Sequence, residues 1–122
     1  MVNYLDWLQE AKDDLAAAQN LGQAKLYAAA CFHCQQAAEK ALKAALIRAS
    51  GNFPKVHSLK QLASEAGLLA QIGNEIIVLS GDYTTSRYPD VYGKSPSSLY
   101  TREAFLQRLA AATKILKVVK NG

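Results

Sequence analysis

The chain is short of several features that would assign it a class at once. It has no run of basic residues of the kind that forms a nucleic-acid arm, although its net charge is +4 and its pI about 9.1. That mild surplus permits contact with nucleotides, RNA or an acidic protein without requiring any of them. No apolar stretch approaches the ~20 residues that a membrane span needs. The N-terminal MVNYLDWLQEAKDD carries acids where a secretory signal would be apolar. With no export signal the expected compartment is the cytoplasm, and the two cysteines are expected to be thiols. Aromatic residues make up only 8%, and β-branched residues are few and scattered, which disfavours sheet. The phosphate-cradling loops GxxxxGK(S/T) and GxGxxG are absent, as are HExxH and a serine elbow. No cofactor and no metal site are therefore expected. Any chemistry must run through arginine, histidine and tyrosine side chains.

What is present is alanine and helical periodicity. Half of the 122 residues are hydrophobic, enough for one core in one domain spanning residues 1–122. Five helical segments can be read. In the first, Tyr4, Leu8, Ala11, Leu15 and Ala18 step by four and three, and Gly22 closes it. The second, from about Gln23 to Ala49, carries a wide apolar arc of Tyr27, Ala30, Cys31, Cys34, Ala37, Ala38, Ala41, Leu42 and Ala45. Its remaining stripe holds His33, Gln36, Lys40 and Lys43, with Glu39 alongside. So wide an arc predicts a central helix with neighbours on several sides. A short third helix starts behind Ser58, in a sequence of capping-box form, and breaks at Gly67. The fourth carries Leu68, Ile72, Ile76, Leu79 and Tyr83. A loop over residues 84–100 precedes a fifth helix capped by Thr101, with Glu103 in its first turn and Phe105, Leu109, Ala112, Leu116 and Val119 on its core face. The expected fold is all-α, an up-and-down antiparallel bundle of four to five helices.

Three polar features compete for function. Cys31-Phe32-His33-Cys34 has metal or redox spacing, but no strand precedes it and His57 is the only other histidine. Both cysteines fall inside the apolar arc and read as core. His57, just ahead of Ser58, serves a helix start or a site equally well. The stretch DYTTSRYPD follows the fourth helix, where Arg87 offers a planar fork for phosphate, Tyr88 a stacking face and Asp90 a partner that would orient the arginine.

In order and spacing, Phe32-His33-Cys34-Gln35-Gln36-Ala37-Ala38-Glu39-Lys40-Ala41-Leu42-Lys43-Ala44, then His57-Ser58-Leu59, Arg87-Tyr88-Pro89-Asp90 and Tyr100-Thr101-Arg102-Glu103-Ala104 resemble a HEPN domain, a small helical nucleotide-binding domain. The resemblance covers nearly the whole chain from Trp7 onward. It implies a helical bundle that pairs as a homodimer, with a polar cleft near the dimer interface. It also implies a minimal nucleotidyltransferase partner in a toxin–antitoxin-like pair, and in many members metal-independent cleavage of RNA through an R-x(4–6)-H motif. Here the positions that motif would allow after Arg87 hold Tyr92, Gly93 and Lys94, and Arg48 lies nine residues before His57, so the usual motif is absent. A pair formed by Arg87 with His33 or His57 would have to be assembled by the fold. The leading expectation is thus a non-enzymatic protein that binds a nucleotide or other phosphate-bearing ligand through Gln36, Lys40, Lys43, His57, Arg87, Tyr88 and Asp90. A ribonuclease using Arg87 with His57 or His33, and a pure interaction module, are the alternatives.

Overall fold

The computed structural model describes residues 3–80 and 99–122, and these form five helices with no strand among them. Helix α1 spans Tyr4–Gln23. Asn3 starts it with a reciprocal box: its side-chain oxygen accepts from the Leu5 and Asp6 N–H groups, and the Asp6 carboxylate accepts from the Asn3 N–H. At its other end Leu26 N–H donates to Leu21 O and Lys25 N–H to Gly22 O, a Schellman closure with Lys25 at the left-handed position, φ 63°. This turn occupies the residues after Gln23, so α2 begins later than its apolar pattern indicated and spans Tyr27–Ser50. Gly51, at φ 79°, ends it.

Helix α3 spans Leu59–Glu65, with the Ser58 hydroxyl accepting from the Gln61 N–H at 3.2 Å. Gly67, at φ 72°, separates it from α4, Leu69–Leu79. Helix α5 spans Arg102–Asn121, and Thr101 Oγ1 accepts from the Ala104 N–H at 3.1 Å. Tyr83 and most of the expected loop over 84–100 lie outside the described residues. Replacing Thr101 by alanine leaves a first-turn N–H without its acceptor and is expected to cost about 1 kcal/mol in chemical denaturation, with Thr101→Ser nearly neutral.

Helix α2 is the central element, packed against α1, α5 and α3, while α4 packs on α5 and α3. Ala30, Cys31, Cys34, Ala37, Ala38, Ala41 and Leu42 are all fully buried, so the small-residue arc is where neighbouring helices approach closely. Both cysteines are buried thiols. Fully buried Leu62, Ile72, Leu79, Ile115 and Val119 close the core from α3, α4 and α5. No helix among the described residues is long and apolar enough to cross a membrane.

Candidate functional site

The polar sector of α2 divides between two neighbours. One half is a ladder of Gln35, Glu39 and Lys43, four residues apart and so stacked on one face. All three are buried, at 2%, 3% and 8% exposure. Lys43 Nζ donates to Glu39 Oε2 at 2.9 Å, Gln35 Nε2 to Glu39 Oε1 at 3.3 Å, and Gln36 Nε2 to Gln35 Oε1 at 3.1 Å. The Lys43 ammonium also lies 5.7 Å from the Trp7 ring centroid and 5.2 Å from that of Phe53, and the two rings meet edge to face at 5.0 Å. A buried cation is tolerated here because a carboxylate and two π-faces replace its water.

From the loop before α3, His57 Nδ1 reaches the same carboxylate, 3.0 Å from Oε2 and 3.2 Å from Oε1. A carboxylate only accepts, so Nδ1 carries the proton and the ring is held in one orientation. The imidazole itself is 60% exposed. It borders a small cavity of about 190 Å³ lined by Gln35, His57, Ser58, Leu59, Lys60, Leu79 and Ser80. Ser80, whose hydroxyl donates to Ile76 O at 2.6 Å, is the last described residue before the stretch that contains Arg87.

The other half of the sector faces α1. His33 Nδ1 lies 2.8 Å from Asp14 Oδ1, and Lys40 Nζ lies 2.7 Å from Asp14 Oδ2 and 3.5 Å from Glu10 Oε1. Lys40 is thus the charged partner of the buried Oδ2. Burial alone would lower the Lys40 pKa. The Asp14 carboxylate, with Glu10 behind it, outweighs that and holds it above the ordinary 10.5. A raised cation pKa stabilises the fold fully below the unfolded value and ceases to do so as pH climbs through the folded one. Lys40→Met is therefore expected to cost about 1 kcal/mol at neutral pH, because it leaves Asp14 undercompensated. The deficit should persist up to pH 10.5 and shrink only above it, as read by urea unfolding of both proteins across that range.

The structure thus brings Gln36, Lys43 and His57 to one cluster and places Lys40 and His33 in another. Arg87, Tyr88 and Asp90 lie outside the described residues. Arg48 is committed elsewhere: its Nη2 donates to Val119 O at 3.0 Å and its guanidinium covers the Tyr4 ring at 5.6 Å, which ties α1, α2 and α5 together. Among the described residues no group of three His, Cys, Asp or Glu side chains converges on a metal position. The side chains that the periodicity did not single out are Gln35, Asp14 and Glu39, the last noted only as a neighbour of the stripe. The Gln35–Glu39–Lys43 spacing of four carried that signal, since three polar residues in register beside an apolar arc are a buried network in outline.

The model of the HEPN domain matches residues 4–122. The chain belongs to the HEPN family. Its helical bundle is shared by two solved structures. One is ST0689, an archaeal HEPN homologue, 34% identical with a TM-score of 0.84 over 99% of this chain and 98% of that one. The other is TT1696 from Thermus thermophilus, 34% identical with a TM-score of 0.86 over the same shares. Among curated proteins no relative matches this HEPN chain. The HEPN match begins in α1 and runs through α5, so both polar clusters belong to the domain itself.

Proposed function

We propose that this HEPN protein binds a nucleotide or another phosphate-bearing ligand at the His57 cavity, and that it works with a minimal nucleotidyltransferase partner in a toxin–antitoxin-like pair. The observation that carries the binding reading is an exposed imidazole held by a buried carboxylate, beside Lys60, in a cavity bordered by the end of α4. Lys43 balances the charge of Glu39, so the cavity is not a site of uncompensated negative charge. At about 190 Å³ it suits a phosphate or a sugar better than a whole nucleotide. Arg87 follows Ser80 by seven residues and would add a bidentate fork to such a phosphate, with Tyr88 as a stacking or hydrogen-bonding face and Asp90 as its orienting partner. Gln36, joined to the ladder, would hold in place the amide of Gln35, a residue that borders the cavity. Lys43 acts behind the site rather than in it.

The test is a calorimetric titration with ATP, GTP and dinucleotides. Binding is expected to weaken about tenfold or more in both Arg87→Ala and His57→Ala, the loss of one or two charge-assisted hydrogen bonds. No binding at millimolar ligand, with neither substitution altering anything, rejects the site. The partner is tested by recovering a nucleotidyltransferase with the tagged protein. Recovery without bound nucleotide favours the pure interaction module. Light scattering of the purified protein tests the homodimer.

The Glu39–His57 pair also favours a second reading, metal-independent cleavage of RNA. A carboxylate that fixes one ring nitrogen as donor prepares the other for general acid–base work, and Arg87 would clamp the phosphate. RNA cleavage that survives EDTA and is lost in His57→Ala and in Arg87→Ala would establish it. Intact RNA after prolonged incubation with the wild type would dismiss it.

A further inference from the structure

Three residues at one end of the bundle sit where their local surroundings disfavour them. Lys25 takes the left-handed position of the turn between α1 and α2, at φ 63°, where glycine would be unstrained. Arg102 is the first residue of α5, a cation at the positive end of the helix dipole. Gly22 lies inside α1, and a Cβ there would overlap Cε2 and Cζ of Phe105. All three line one groove of about 610 Å³, within the range of small-molecule sites and larger than the His57 cavity. Local preferences that fail together at one place mark a site more often than a packing accident.

The lining has a definite chemistry. Lys25 and Arg102 form no ion pair with any described residue, and no acidic side chain is among the described residues that line the groove. The absence of a Cβ at Gly22 lets the Phe105 ring lie against α1, where it stacks on Tyr27 at 6.0 Å with the planes 29° apart. The side-chain amides of Asn20 and Gln23 supply both donors and acceptors. Two cations, the partly exposed Tyr27 ring backed by buried Phe105, and carboxamides select an anion that carries a planar, hydrogen-bonding ring. We propose that this groove is a second binding site, separate from the His57 cavity, and that it takes a nucleoside monophosphate with its phosphate on Lys25 and Arg102 and its base against Tyr27 and Phe105. Tyr27 lies 8 and 12 residues before Gln35 and Glu39, or about 12–18 Å along the helix axis, so one mononucleotide does not fill both sites.

The experiment is a titration of the isotope-labelled full chain with AMP, adenosine, inorganic phosphate and a short oligoadenylate, followed by amide NMR. AMP is expected to shift Lys25, Tyr27, Arg102 and Leu106. Adenosine and phosphate should each bind at least tenfold more weakly, because each satisfies half of the groove. Arg102→Ala should weaken AMP at least tenfold. Lys25→Gly should do the same while raising the melting temperature, a combination that a merely structural lysine would not give. His57→Ala should leave these shifts in place, which separates this site from the ligand reading of the His57 cavity. The proposal is overturned if AMP at millimolar concentration moves none of these amides, or if Lys25→Gly and Arg102→Ala bind AMP as well as the wild type. It is equally overturned if His57→Ala abolishes the shifts, or if only the oligonucleotide binds.

Discussion

Glu39→Ala is expected to destabilise the domain by about 3–5 kcal/mol, the range seen when one partner is removed from a buried ion pair. Lys43 would remain buried between the Trp7 and Phe53 rings without its carboxylate, and the Gln35 amide would lose its acceptor. The cost comes from the stranded cation rather than from the attraction that is lost. Removing both charges should therefore be milder than removing one. In Glu39→Ala/Lys43→Met the apolar replacement fits the same aromatic bracket, and about half of the stability is expected to return. Urea unfolding of the wild type, both single variants and the double variant closes the cycle. A loss below 1 kcal/mol for Glu39→Ala, or a double variant no better than the single, would show that water reaches Lys43 and that the ladder is not a closed network. Glu39→Gln separates stability from site chemistry. It keeps the shape but replaces one of the two acceptor oxygens with an NH2 donor, so the amide can pair with either form of the ring and nitrogen NMR of His57 should show mixed tautomers.

Gly22→Ala is expected to cost about 2 kcal/mol, although alanine is normally the better helix former by ~1 kcal/mol. The added methyl would overlap the edge of Phe105, a buried ring already stacked on Tyr27. Relief requires the ring to swing into the neighbouring groove, which breaks that stack. In a domain of this size the melting temperature should fall by about 6–10 °C. Phe105→Leu removes the ring edge, and in that background Gly22→Ala should become neutral or stabilising. A coupling of about 2 kcal/mol between the two positions is the expected result. Simple additivity would mean that the ring moves away at no cost.

Much of the architecture could be read along the chain because the signals are local. Ser58 and Thr101 satisfy the N–H groups that a helix start leaves open, and Gly51 and Gly67 adopt the left-handed conformation at which helices stop. The small-residue arc of α2 needs only its own periodicity to announce close neighbours. The start of α2 was misplaced for a reason that is equally local: Lys25 fills a left-handed position usually held by glycine, so the turn carried no punctuation. Family membership was also legible, since the QQAAEKALKA segment lies within the matched domain. The other half of that signature, Arg87-Tyr88-Pro89-Asp90, falls outside the described residues.

The candidate site was less legible. His33, Gln36, Lys40 and Lys43 share a stripe on a helical wheel, and nothing in the wheel separates them. Glu10 and Asp14 take Lys40 and His33, while Glu39 takes Lys43 and His57. Only the Glu39–Lys43 pair is local; the other acids stand 18 to 30 residues from their partners in sequence, so no local pattern contains the whole division. The groove between α1, α2 and α5 is hidden in the same way, because Lys25 and Arg102 are separated by most of the chain.

By itself, then, the sequence determined that the chain is a helical bundle organised around its second helix, because hydrogen bonding within a helix, end-capping and apolar period all act over a few residues. Only the tertiary structure decided which charges are neutralised, which imidazole a buried carboxylate holds and where the concave surfaces lie. Ion pairs and cavities form between elements, and their energies depend on which faces meet once the helices have packed.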